Sequence, residues 1–164
     1  MSSDQPPAIT LTERARRIDL VRHSAAKLGF RGRVEYWHRY GSEGPAQVRL
    51  GANITQDVLR VFSQVFEREN DPQQFSLEAI VAHECGHQVF HRHRLLHRWF
   101  GSRVSLSHEE IIASLIAALL VASRTDKDAL LDKAFSDALE TGISGPEATS
   151  MINGLRAVLE LLLC

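Results

Sequence analysis

The sequence predicts an α+β domain that is mostly helical, and three observations carry that prediction. Most of the chain divides into long stretches with helical start and stop signals. One segment, RVEYWHRY (33–40), alternates and is rich in aromatics, as a strand is. A turn, GSEGP (41–45), leads from it into AQVRLGA (46–52), which reads as the returning strand of a small antiparallel hairpin. The 164 residues suit one domain with one hydrophobic core, and 44% hydrophobic with 24% charged residues is an ordinary globular balance.

Residues 1–9 are polar and proline-rich and are expected to be a flexible lead-in, with residues 10–164 forming a single domain. Thr10 or Thr12 caps a first helix running to about Lys27, with Leu20, Val21 and Ala25 or Leu28 facing inward and Gly29 and Gly32 ending it. After the hairpin, Asn53 or Thr55 caps a helix to about Arg68, with Val58, Leu59, Phe62, Val65 and Phe66 on one side. ENDPQQ (69–74) is a loop. Ser76 starts the next helix, which runs to about His97 before Gly101 breaks the pattern. Ser107 caps a strongly apolar helix, with Glu110 as its capping-box partner. Two further helices cover about 126–141 and 146–163, the last being apolar enough for a core helix or a homo-oligomer surface.

Charge and composition exclude several classes. A net charge of −1 implies no general affinity for polyanions. Two cysteines, Cys85 and Cys164, make no disulfide framework, which points to a reducing compartment. The N-terminus has no secretory pattern, and the longest apolar run, 111–122, is shorter than the roughly 20 residues a membrane span needs. A soluble, cytoplasmic protein with no membrane span is expected.

The chemistry concentrates in AIVAHECGHQVFHRHR (79–94). His83-Glu84-Cys85-Gly86-His87 is an HExxH pentapeptide. On a helix, residues i and i+4 share a face, so two imidazoles can grip one metal ion. Glu84 is turned about 100° from His83, where it can serve as a general base without being a ligand. The bland alternative is a surface helix with scattered histidines. Against it, Gly86 costs about 1 kcal/mol relative to alanine in a helix interior, which suggests a close approach there.

A catalytic zinc site needs a third protein ligand. His91 shares the face, but eight residues at 1.5 Å each put it about 12 Å from His83; it stands behind the ligands, lines the cleft or is solvated. His93 has the HExxHxxGxxH spacing, but Phe90 occupies the glycine position that lets such a chain turn back. Glu109 and Glu110 open the apolar helix, and a carboxylate buried there needs a partner. Adjacent residues cannot both face one ion. Glu110 is favoured, with Glu109 as the alternative and a helix-dipole role for the other.

VAHECGHQVFH resembles the HELGHxxxH core of ImmA/IrrE-type zinc metallopeptidases. Glu110, Ala113, Ile116, Ala117, Leu120 and Val121 fall on that family's later E-x-x-A-N-x-F-A-x-x-L-L pattern, with Ser114 in place of the asparagine and Ser123 near the place of a usual proline. The resemblance covers about residues 75–123. It implies a minimal zincin core of helices plus a small sheet on the HExxH helix, an intracellular location, and Zn2+ held by His83, His87 and Glu110. It also implies hydrolysis of a peptide or protein substrate by a zinc-activated water, with Glu84 as base. Tyr36, His38, Tyr40 and His108 are candidates for stabilising the oxyanion, and strand 46–52 for pairing with the substrate.

Three other readings compete. A non-catalytic zinc-stabilised interaction domain would not require Glu84, and a metzincin-like peptidase would use His93 as third ligand. A nucleic-acid binder would use His91, Arg92, His93, Arg94, Arg98 and Arg103 with Trp99 and Phe100 for stacking, but that cluster reads more simply as a solvated helix face, so no nucleic-acid partner is expected.

Overall fold

The computed structural model describes residues 10–37, 45–62, 75–100 and 104–163. Helix α1 (Leu11–Lys27) starts where Thr10 accepts a hydrogen bond from the Glu13 N–H at 3.1 Å. It buries Val21, Ser24 and Ala25, with Leu28 tucked in just beyond its end. Leu20, expected inside, is 44% exposed, because it sits one residue round the helix from the buried stripe. Gly29 follows with φ +82°, a conformation that needs glycine.

The sheet differs from the predicted hairpin. Strands β1 (Arg33–Trp37) and β2 (Ala46–Arg49) are not neighbours. A third strand, β3 (Val58–Phe62), lies between them, parallel to β1 and antiparallel to β2. The helix expected from Asn53 or Thr55 to Arg68 is therefore corrected: Asn53 caps only a 3-10 turn, Ile54–Gln56, and VLRVF then runs as the central strand. Val58, Leu59, Val61 and Phe62 are all buried. A strand covered on both faces loses its alternation, so its pattern imitates the apolar face of a helix. Val65 and Phe66, assigned to that helix, lie outside the described residues.

Helix α2 (Leu77–Arg92) carries the HExxH motif and begins at Ser76, which accepts from the Ala79 N–H at 3.0 Å. It stops at Arg92 instead of continuing to His97. His93 is extended (φ −82°, ψ 115°), and a short helix, α3 (Arg94–Phe100), follows. The bend brings Leu96, fully buried, into the cluster of Phe90 and Ile111. Helix α4 (Leu106–Leu120) is capped by Ser105, not Ser107, so the predicted capping box with Glu110 does not form and Ser107 lies within the first turn. Its residues Ile111 to Ala118 are all buried, as expected of a helix that is apolar all round. Helices α5 (Arg124–Glu140) and α6 (Gly145–Leu163) complete the chain close to their predicted bounds. α6 buries Ala148, Ile152 and Leu159, so one of its faces belongs to the core. Among the described residues, no helix is long and apolar enough to cross a membrane.

Two contacts hold α2 in place. Toward α4, a Cβ added at Gly86 would lie 2.2 Å from the Ala113 carbonyl oxygen, so the two backbones meet where only glycine fits. The close approach suggested by a glycine in mid-helix is thus the α2–α4 crossing. Toward the sheet, the fully buried Asp57 accepts from the Gly51 N–H at 2.8 Å, from Gln88 Nε2 at 2.8 Å and from Arg92 Nε at 3.1 Å. Gln88 also bonds both backbone groups of Arg31, and Arg92 donates to the Gly51 carbonyl at 2.8 Å. One carboxylate thus joins the last turn of the motif helix to the β2–β3 connection, and Gln88 ties the same helix to the turn before β1.

Candidate metal centre

Helical geometry puts His83 and His87 on one face of α2, and the crossing at Gly86 sets α4 against that face. Glu110 lies one turn before Ala113, the residue at the crossing, so its side chain reaches both rings. Glu110 Oε2 is 2.9 Å from His83 Nε2, and Glu110 Oε1 is 3.3 Å from His87 Nε2. One ligand atom from each of the three residues lies within 4.8 Å of the others. The rings stand edge to face at 89°, with centroids 5.0 Å apart.

The opposite nitrogens are also engaged. His83 Nδ1 shares a hydrogen bond with Ser114 Oγ at 3.0 Å, and His87 Nδ1 meets Glu109 Oε1 at 2.9 Å. Both imidazoles therefore present Nε2 to the shared point. Bonds of about 2.0–2.1 Å to a tetrahedral zinc separate ligand atoms by roughly 3.3 Å. The Glu110 contacts, at 2.9 and 3.3 Å, lie at or a little below that spacing, and two imidazoles with one carboxylate is a zinc donor set, so the residues present fit the ion.

The carboxylates dominate the electrostatics of the cluster's own side chains. Burial alone would lower the His87 pKa, but hydrogen bonds to Glu109 and Glu110 and the charge of Glu84 overcome it and raise it to about 10. The bonds to His83 and His87 hold Glu110 well below the usual carboxylate range, and the bonds to His87 and His91 lower Glu109 despite its burial. Three carboxylates surround two imidazoles, a cluster that attracts positive charge. Cys85, buried beside it, is a poor ligand: burial, aided by the Glu84 charge, pushes its thiol up to about 12.

Glu84 points from α2 toward the sheet, where its Oε2 accepts from the Val48 N–H at 2.8 Å. Val48 lies on β2, an edge of the sheet among the described residues, so this N–H faces away from β3. A cleft lined by Gln47, Val48, His83, Glu84, Glu110 and Lys133, among others, runs between β2 and the motif helix.

The structure thus brings His83, Glu84, His87 and Glu110 together. Glu109 stands behind His87, and His91, at 2.7 Å from Glu109 Oε1, stands behind Glu109. His93 caps α2 and is not in the group. Of the oxyanion candidates, Tyr36 lies beside Arg17 and does not line the cleft. His108 is exposed and bonded to Ser105 Oγ, while His38 and Tyr40 are outside the described residues. Sequence reasoning missed Lys133, whose Nζ lies 3.9 Å from Glu110 Oε2 and 2.7 Å from Asp137 Oδ2. The available signal was the i, i+4 pair of Lys133 and Asp137 on a helix with apolar neighbours.

Compared with known proteins, the chain matches no family model, no curated protein and no solved structure.

Proposed function

We propose that the chain is a zinc-dependent peptidase of the zincin kind, as its resemblance to ImmA/IrrE-type metallopeptidases implies. The observation that supports this most is the convergence of His83, His87 and Glu110 on one point, with Glu84 beside them at the edge of an open cleft. His83 Nε2, His87 Nε2 and a Glu110 oxygen are the ligands. Zinc bound there supplies Lewis acidity and an acidified water.

The chain's own groups do the rest. Glu84, with one carboxylate oxygen held by the Val48 N–H, takes the proton of the attacking water on the other oxygen. As the C–N bond breaks, it passes that proton to the leaving amine. Lys133 is the only Lys or Arg among the described residues lining the cleft, and its ammonium stabilises the negative charge that builds on the carbonyl oxygen. The outer edge of β2 offers backbone groups to an extended peptide. A purely structural zinc site is the poorer reading, because it has no use for an acid set at the cleft.

The test is hydrolysis of a mixed pool of synthetic peptides by the purified full chain, read by mass spectrometry. Zinc-loaded protein is expected to cleave peptides, to stop when a chelator strips the metal, and to recover when zinc is returned. A folded, zinc-loaded chain that leaves the whole pool intact contradicts a general peptidase.

A further inference from the structure

Glu109 and Glu110 are adjacent, yet they do different things. Glu110 faces the point shared by the two ligand rings, and its side chain is 45% exposed at the cleft. Glu109 is turned about 100° round α4 and is only 17% exposed. Its Oε1 receives two contacts from the motif helix, His87 Nδ1 at 2.9 Å and His91 Nε2 at 2.7 Å. His87 and His91 are four residues apart, so one oxygen meets both rings on the same helical face. A first-turn glutamate that merely answers the helix dipole would point to solvent.

We infer that Glu109, braced by His91, is a positioning residue that holds His87 in the orientation and tautomer needed to bind metal through Nε2. This rests on the metal site proposed above. A neutral imidazole has one N–H and one lone pair; if Nδ1–H donates to a carboxylate, the lone pair is left on Nε2. The carboxylate also raises the basicity of the ring as a ligand. A second donor keeps the carboxylate from swinging away, and His91 is that donor. The two ligand histidines are supported unequally: His83 has the neutral hydroxyl of Ser114, while His87 has a partly buried anion. This gives His91 a role even though it lies too far along the helix to reach the same ion.

The experiment measures zinc affinity of the full chain by competition with a chromophoric chelator, with cobalt absorption as a second readout. Glu109→Ala is expected to weaken zinc binding about 10–100-fold and to alter the cobalt ligand-field bands. Glu109→Gln, whose amide oxygen can still accept from His87 Nδ1, recovers most of the affinity. His91→Ala shows a smaller loss in the same direction. A Glu109→Ala protein with wild-type affinity and an unchanged cobalt spectrum overturns the inference while leaving the metal site standing. A wild-type chain that takes up no zinc overturns both. Should Glu109→Ala fail to fold, His91→Ala decides, and an unchanged zinc affinity there overturns the brace.

Discussion

Replacing Glu84 with glutamine is expected to abolish peptide hydrolysis while zinc stays bound. Glutamine matches glutamate in shape, and its amide oxygen can keep the hydrogen bond from the Val48 N–H that the carboxylate accepts at 2.8 Å. Folding and metal binding are therefore expected to be preserved, because Glu84 is not among the three converging side chains proposed to hold the metal. The ability to take a proton is lost. General base catalysis contributes about 10²–10⁴-fold, so the variant should fall by at least the lower end of that range. Steady-state hydrolysis beside zinc content checks it. Turnover within a few fold of wild type refutes the base assignment. Loss of zinc along with activity would instead make Glu84 part of the binding shell.

Asp57→Ala is expected to be strongly destabilising. The carboxylate is fully buried and faces Arg92, Gln88 and the Gly51 N–H, so its removal leaves a guanidinium and an amide without their partner. Arg92 is partly exposed and keeps its bond to the Gly51 carbonyl, so the loss is that of hydrogen bonds to a buried charged acceptor, about 1–3 kcal/mol, a sizeable share of the roughly 5–15 kcal/mol that stabilises an ordinary domain. Urea denaturation measures it, and a loss below about 1 kcal/mol, the range of a surface ion pair, contradicts the anchor role. Acid should weaken the same contact. Burial alone would raise the Asp57 pKa, but hydrogen bonds from Arg92, Gly51 and Gln88 outweigh it and hold the group below its ordinary 3.8. A depressed folded-state pKa gives stability that is fully present above the unfolded value and is lost as pH falls through the folded one. The Asp57 contribution is thus complete at neutral pH and fades only below about pH 4.

The helices were largely legible because caps and apolar periods are local signals. Ser76 caps its helix as its position suggests, Thr10 is the one of the two threonine candidates that caps α1, and the apolar stretch from Ile111 to Ala118 is a buried helix. The HExxH spacing led directly to the pair of facing imidazoles, and Glu110 joins them as the apolar helix suggested. The failures have physical causes. VLRVF reads like a helix face because β3 is covered on both sides, and strand order is a long-range property that the turn GSEGP could not reveal. The bend at His93 follows from tertiary burial of Leu96, which no local pattern announces. Ser105 and Ser107 both suit a helix start, and the choice depends on where the helix must sit. The neighbour contacts of Lys133 and Glu109 come from residues many turns apart in the chain, so only the assembled fold displays them.

Calorimetric titration of zinc into metal-stripped protein, repeated on single-ligand variants, tests the three-donor site most directly. One tight equivalent per wild-type chain is predicted, with His83→Ala, His87→Ala and Glu110→Ala each losing the tight phase and His93→Ala keeping it. Undiminished binding in Glu110→Ala together with loss in His93→Ala would contradict the account, as would a wild-type chain that binds no zinc.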